Sequence, residues 1–144
     1  MVDTMNIIYK SSFVQICYTP SLELMEVVWS PYTKKLFPAL YQSEFLTFFK
    51  YQNIHKAQNI LVDERMFNFN VDTELQNWVH NTLKERMKFF SKKIAIVTNE
   101  DAIKNKMQKI RIEHAKQLNM QIALFKDKNS AKDFLIKEYH VDSN

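Results

Sequence analysis

The first thirty residues alternate between short apolar runs and polar turns. Residues 5–9 and 13–18 are rich in β-branched and aromatic side chains, which is typical of strands, and a Lys-Ser-Ser turn separates them. A third run, residues 22–29, follows the Thr-Pro-Ser turn signal at residues 19–21. Because connections this short join antiparallel neighbours, the sequence predicts an N-terminal antiparallel meander.

The period of the apolar positions becomes helical after Pro38, which is tolerated in the first turn of a helix. The pattern predicts a helix over residues 38–51, but its apolar side chains cover more than the single stripe that a surface helix buries. They are Phe37, Leu40, Tyr41, Phe45, Phe48, Phe49 and Tyr51. The excess indicates a fully covered helix, a homodimer contact or one wall of an apolar cavity, and we favour the first two over the cavity.

Three further strands are predicted at residues 59–62, 93–97 and 120–125. Each is a short apolar run of the kind found in strands that are covered on both faces. Helical patterns separate them, at residues 74–90 and 101–118. Strands that alternate with helices pair in parallel through right-handed crossovers.

Capping residues mark two of the predicted helix starts. Asp72 stands directly before the helix of residues 74–90, and Ser130 is the expected cap of a last helix that carries Phe134 and Leu135 on its inner side. The sequence as a whole predicts a single α/β domain, residues 1–144. Its mixed open sheet has an antiparallel N-terminal meander followed by parallel βα units, and the helices pack on the sheet.

The composition excludes several classes of enzyme, because the 144 residues contain no glycine. A Walker loop, a dinucleotide-binding fingerprint and a glycine-flanked nucleophilic serine all need glycine for close backbone approach or positive φ. Asparagine tolerates positive φ best among the other residues, so we expect it where helices or strands end. The candidates are Asn53, Asn99, Asn119 and Asn129.

Charge and cysteine content favour an ordinary cytoplasmic protein. The net charge is +4, and the basic residues of the second half spread around their helices instead of forming one stripe, so we expect no nucleic-acid partner. The lone cysteine, Cys17, excludes an internal disulfide and is typical of a reducing compartment. No apolar run is long enough to span a membrane, and no signal peptide is apparent.

Polar residues follow the central strands, where open α/β sheets usually place ligands. Asp63 and Arg65 come after one strand, and Asn99 and Asp101 after the next. These residues could form a polar site, even a cation site through Asp63 and Asp101. The favoured interpretation is that Asp63 pairs locally with Arg65 while residues 99–101 cap a helix. The four histidines show no metal-ligand spacing, and we predict neither a metal nor a cofactor.

The loop of residues 65–70 contains the apolar side chains Met66, Phe67 and Phe69. They are expected to fold beneath the helix that carries Trp78. If they are exposed instead, they form an apolar patch that marks a partner or ligand surface.

An ordered set of segments resembles the SpoIIAA-like (STAS-like) domain family, which is related in fold to the CRAL-TRIO lipid-transfer domains. The segments are Val28-Trp29, Ile60-Leu61-Val62-Asp63 with Arg65, Leu75-Gln76-Asn77-Trp78, the strand at residues 93–97, Ile122-Ala123-Leu124-Phe125 and Ala131-Lys132-Asp133-Phe134-Leu135. The resemblance spans about residues 13–139. It implies a non-enzymatic module for protein–protein regulation or, in some branches of the family, for apolar-ligand binding.

The resemblance also implies a phosphorylatable serine directly after the strand-terminal aspartate, as in the anti-sigma-factor antagonists. Here residues 64–70 are inserted after Asp63, and Thr73 is the nearest hydroxyl at the helix start. A phosphate on Thr73 would lie beside Asp72 and Glu74, so we do not expect a phospho-switch.

The sequence therefore predicts a non-enzymatic regulatory or interaction module whose partner is another protein or a second copy of itself. The first alternative is a carrier or sensor of an apolar, lipid-like molecule, and the weaker one is an enzyme that uses Asp63. An interaction module should expose an apolar patch around Phe67 and Phe69 and lack a deep pocket.

Overall fold

The computed structural model describes residues 4–86, 92–99 and 106–142, with the side chains at 106, 107 and 137–142 left out of the description. The strands are β1 (Asn6–Lys10), β2 (Val14–Thr19), β3 (Leu24–Trp29), β4 (Asn59–Asp63), β5 (Lys93–Val97) and β6 (Gln121–Phe125). The helices are α1 (Pro38–His55), α2 (Thr73–Arg86), α3 (Lys106–Gln117) and α4 (Lys128–Asp142). Short 3-10 helices at Pro20–Leu22 and Pro31–Lys35 flank β3.

All six strands form one mixed sheet, in the order in which they occur along the chain. The pairs β1–β2 and β2–β3 are antiparallel, whereas β3, β4, β5 and β6 are parallel. This confirms the predicted meander and the predicted parallel half. The register aligns Met25, Ile60, Ile94 and Ile122 in one row across the four parallel strands.

The two faces of the sheet are covered unequally. The strands follow one another across the sheet in chain order, so the three right-handed crossovers after β3, β4 and β5 all run the same way and place their helices on one face. Helices α1, α2 and α3 pack on that face. The core on that face includes Ile16, Val27, Ile60 and Leu75. Of the helices that the structure describes, α4 is the one on the opposite face, where Leu135 packs with a core of Leu24, Leu61, Ala95, Val97 and Ala131.

One predicted helix cap is confirmed and the other is wrong. The backbone N–H of Leu75 donates to Asp72 Oδ1 at 2.8 Å, so Asp72 caps α2 as expected. The last helix begins at Lys128, and the N–H of Ser130 donates to Asp127 Oδ1 at 2.8 Å. Asp127 is therefore the cap, because its carboxylate is the side chain that accepts from the third residue of the helix. The predicted helical residues 87–90 and 101–105 lie outside the described part of the chain.

In the part of the chain that the structure describes, three residues adopt the left-handed conformation that glycine would favour. They are Glu23, Lys56 and Asn119, with φ of 46°, 53° and 59°. Of the four asparagines expected in this region, only Asn119 has positive φ among the described residues. Lys56 ends α1, and its N–H donates to the Gln52 carbonyl at 2.7 Å.

Candidate functional site

A cavity of about 400 Å³ lies between the sheet and the three helices on its first face. Its floor is formed by aliphatic side chains of the parallel strands, among them Val27, Ile60, Val62, Ile94 and Ile96. These side chains alternate along their strands with residues that face α4, as the pleat of a sheet requires. The cavity therefore lies on the face of the sheet that α1, α2 and α3 cover, in the space that helix side chains fill in a closely packed α/β domain.

Aromatic rings form one end of the cavity. Phe67 meets Trp29 edge-on with ring centroids 5.0 Å apart, and Phe69 lies 5.3 Å from Tyr41. The loop that carries both phenylalanines is held by a hydrogen bond from the Asn68 N–H to Thr33 Oγ1 at 2.8 Å. Phe67 and Phe69 fold inward as expected, into the apolar cluster that includes Leu75 of α2, and their rings contact Trp29 and Tyr41. Met66 of the same loop is 56% exposed.

Helix α1 supplies a wall of the same cavity. Tyr41, Phe45 and Phe48 line it, and the rings of Tyr41 and Phe45 are 5.0 Å apart. The same three residues also belong to the core on this face, where Tyr41 is buried and Phe45 and Phe48 pack against it. The helix therefore combines the predicted core packing with the cavity wall that the sequence ranked lower. Phe37 and Ile54 lie elsewhere on the helix surface, with 53% and 61% of their surface exposed.

A hydrogen-bonded polar cluster lies in the apolar wall. Arg111 of α3 donates from Nη1 to both carboxylate oxygens of Glu64, at 2.8 and 3.0 Å, and to Gln108 Oε1 at 3.1 Å. Gln108 in turn donates to Glu64 Oε1 at 3.1 Å. Burial lowers the pKa of Arg111, but the charge and hydrogen bonds of Glu64 raise that pKa above its usual value, so the ion pair is stable. The side chains remain 31% exposed for Arg111 and 13% for Glu64, and both line the cavity.

Two other residues of the wall, Tyr41 and Glu44, carry ionisable side chains. Burial raises the pKa of Tyr41 far above its ordinary value, so its phenol is neutral. Glu44 is buried, accepts a hydrogen bond from Tyr9 Oη at 2.6 Å and accepts a second from the Ser11 hydroxyl. These bonds tie α1 to the start of the meander.

Two histidines stack in the cavity wall, one from α2 and one from α3. The ring centroids of His80 and His114 are 3.9 Å apart, with 25° between the ring planes. Burial lowers the pKa of His80, the charges of His114 and Lys84 lower it further, and a hydrogen bond with Gln117 partly opposes them. His80 is therefore neutral at physiological pH.

Two polar atoms of α2 are buried and have no hydrogen-bond partner among the described residues: Gln76 Oε1 and His80 Nδ1. Both residues line the cavity. Buried polar atoms are satisfied in the great majority of cases in proteins, so a pair on one helix face is a specific feature of this site.

The predicted polar site around Asp63 is a separate, local ion pair. Arg65 donates from Nε to Asp63 Oδ1 at 3.0 Å and from Nη2 to Oδ2 at 2.8 Å, and its backbone N–H donates to Oδ1 at 3.2 Å. Lys128 Nζ lies 3.9 Å from the same carboxylate. This confirms the local pairing that the sequence favoured. Neither residue is among the cavity-lining residues.

Of the remaining predicted site residues, one lines the cavity and one does not. Asn99 lines the cavity beside Thr98, whereas Thr73 is exposed at the first turn of α2. Asp101, the suggested second cation ligand, lies outside the described residues. Within residues that the structure describes, no group of three or more His, Cys, Asp or Glu side chains is placed to hold a metal ion.

Sequence reasoning missed the polar part of the cavity, although a signal for it is present. Arg111 is one of the basic residues that spread around the predicted helices, and nothing in the sequence analysis singled it out as a partner of Glu64. Residues 108, 111, 115 and 118 recur at helical spacing and all line the cavity, as do residues 76, 79, 80 and 83 of α2. The signal that could have predicted a partly polar cavity is the presence of polar residues among the apolar ones on the inner stripe of each helix.

Comparisons with known proteins found no matching family model, curated protein or solved structure. Membership of the SpoIIAA-like family therefore stays a prediction. None of the helices within the described ranges has the length and hydropathy that crossing a membrane requires.

Proposed function

We propose that the protein binds an apolar small molecule in the cavity between the sheet and helices α1, α2 and α3. The observation that supports this most strongly is the cavity itself, about 400 Å³ with an aliphatic floor and an aromatic end. Protein cores are close-packed, with few voids larger than a water molecule, whereas ligand pockets of roughly 300–1,000 Å³ are typical.

The aromatic residues support ligand binding over the interaction module that the sequence favoured. An interaction module was expected to expose Phe67 and Phe69 and to lack a deep pocket. Both side chains are instead half-buried in the cavity wall, against Trp29 and Tyr41. A protein partner or a second copy of the chain remains a prediction without a specific contact to support it.

The enzyme hypothesis has no comparable support. Asp63 was its proposed reactive group, and the carboxylate is occupied by three hydrogen bonds from Arg65. We therefore propose a carrier or sensor. The buried Cys17 thiol accords with a reducing compartment, so we place this binding function in the cytoplasm as part of the proposal.

The cavity volume sets the size of the ligand. A cavity of 150 Å³ holds benzene, so by proportion a cavity of this volume holds a molecule of roughly 15 non-hydrogen atoms. A ten-carbon chain with a small polar head, such as 1-decanol, is within that size and is a suitable probe.

The test is calorimetric titration of the protein with 1-decanol, with two matched variants. Ile94→Phe adds volume to the cavity wall, whereas Ile136→Phe makes the same change on α4, on the opposite face of the sheet. We expect saturable binding to the wild type and to I136F, and a loss of about tenfold or more in affinity for I94F. Failure of the wild type to bind, or equal binding by the two variants, would contradict the proposal.

A further inference from the structure

We infer that the ligand carries an uncharged hydrogen-bond donor, a hydroxyl or an N–H group, whose proton Gln76 Oε1 or His80 Nδ1 of α2 accepts. This inference rests on the proposed function, because it concerns the polar head of the molecule that occupies the cavity.

The two residues that carry these atoms are neighbours on the surface of α2. Gln76 and His80 are four residues apart on α2, so their side chains leave the same face of the helix, with Cβ atoms roughly 5–6 Å apart. Both line the cavity, and Gln76 Oε1 and His80 Nδ1 are buried without a partner among the described residues. A buried acceptor without a partner destabilises the protein, and a ligand donor removes that cost.

A neutral imidazole carries its proton on one ring nitrogen and a lone pair on the other. His80 Nδ1 is buried and has no partner among the described residues. As part of the inference we place the proton on Nε2, so that Nδ1 presents a lone pair to the cavity.

The charges around the cavity disfavour an anionic head. The titratable groups among its described lining residues are the carboxyl groups of Glu44 and Glu64, the guanidinium of Arg111, the phenol of Tyr41 and the imidazoles of His80 and His114. The charge of Arg111 is already matched by Glu64, with contacts of 2.8 and 3.0 Å. A ligand carboxylate would add an unmatched negative charge beside two unpartnered acceptors, and burying an unpaired charge is far more costly than burying a hydroxyl.

A cationic head is disfavoured for a related reason. Glu64 is neutralised by Arg111, and Glu44 already accepts hydrogen bonds from Tyr9 and Ser11. The two free acceptors are a neutral amide oxygen and a neutral imidazole nitrogen, which match an uncharged donor without leaving a charge to be compensated.

Four ten-carbon probes with different heads test the inference: 1-decanol, decyl methyl ether, decanoate and decylammonium. The alcohol donates a hydrogen bond, whereas the ether has a similar shape and only accepts. One hydrogen bond is worth about tenfold in affinity, so we expect 1-decanol to bind about tenfold more tightly than the ether. We expect both charged probes to bind more weakly than the alcohol.

Two variants that preserve volume locate the effect. 1-Decanol donates a single hydrogen bond, so in at least one of Gln76→Met and His80→Phe the affinity for the alcohol should fall toward that of the ether, while the affinity for the ether stays within a factor of about two. Asn77→Met is the control, because residue 77 is exposed and is not a cavity-lining residue. Its preference for the alcohol should equal that of the wild type.

The outcomes separate the two proposals. Equal binding of alcohol and ether, or tighter binding of decanoate or decylammonium than of 1-decanol, would overturn the inference and leave the proposed function standing. Retention of the alcohol preference in both Gln76→Met and His80→Phe would overturn it as well. Absence of binding by all four probes would overturn the proposed function together with the inference.

Discussion

The guanidinium of Arg111 contacts both carboxylate oxygens of Glu64 through one nitrogen, Nη1, at 2.8 and 3.0 Å. The pair joins α3 to the residue that follows β4 and lies in the wall of an otherwise apolar cavity. The backbone N–H of Glu64 donates to the Val97 carbonyl at 2.9 Å, which fixes the pair to the sheet. It therefore positions α3 over the cavity floor.

Removal of the arginine should cost more than removal of the whole pair. Arg111→Met leaves Glu64 charged and partly buried, and we expect the free energy of unfolding to fall by about 2 kcal/mol, since loss of one partner of a fully buried pair costs about 3–5 kcal/mol. Urea denaturation measures this. The double variant Glu64→Gln/Arg111→Met should be more stable than Arg111→Met alone, and a double variant of equal or lower stability would contradict the pairing.

The pKa of His80 should lie below the ordinary value of about 6.5. As the pH falls below about 6.5, His80 takes up a proton in the unfolded chain before it does so in the folded protein. The free energy of unfolding should therefore decrease between about pH 6.5 and the lower pKa of the folded state. NMR titration of the His80 imidazole gives the pKa directly. Unfolding measured at about pH 7.5 and about pH 5.5 should show a smaller loss for His80→Phe than for the wild type. A His80 pKa above 6.5 would contradict the burial of the ring.

Asp63 should contribute to stability and not to ligand binding. Burial raises the pKa of its carboxyl, but the hydrogen bonds and charge of Arg65 and the charge of Lys128 hold that pKa below its usual value. Asp63→Asn should therefore lower the free energy of unfolding at neutral pH by about 1–2 kcal/mol.

The contribution of Asp63 is present above the unfolded pKa of about 3.9 and is lost as the pH falls through the lower folded value, so the difference between wild type and variant should shrink in acid. The affinity for 1-decanol should not change. A tenfold loss of affinity for 1-decanol in Asp63→Asn would contradict binding in the cavity and would indicate a site at Asp63 and Arg65.

The absence of glycine leaves backbone strain that substitution can relieve. Lys56 ends α1 with φ of 53°, a conformation that costs a non-glycine residue about 1–2 kcal/mol. Lys56→Gly should raise the free energy of unfolding by up to about 1 kcal/mol, since the greater freedom of glycine in the unfolded chain offsets part of the gain. Lys50→Gly is the matched control inside α1 and should be destabilising by about 1 kcal/mol.

The strands were predictable because parallel strands covered on both faces are continuous apolar runs. Residues 93–97 form β5 with the predicted bounds, and the Asp63–Arg65 pair was predictable because its members are two residues apart. The cap at Asp127 was missed because Ser130 and Asp127 are both suitable residues and only the backbone geometry chooses between them.

The cavity was not predictable to the same degree because it depends on distant residues. Glu64 and Arg111 are 47 positions apart in the sequence, and His80 meets His114 only once α2 and α3 lie side by side on the sheet. Helical spacing puts Arg111 on one stripe of α3 with residues 108, 115 and 118, which also line the cavity. Whether a stripe fills the space in front of it is decided by the volumes of side chains from several elements at once, which no local pattern contains.

The most direct test of the central claim is the location of a bound probe by NMR. Intermolecular NOEs would be recorded between unlabelled 1-decanol and protein labelled at its methyl groups. The proposal predicts NOEs from the decyl chain to Ile60, Val62 and Ile94 on the cavity floor and none to Leu135 on the opposite face. NOEs to Leu135 or to exposed Ile54 without any to Ile60 and Ile94 would contradict it.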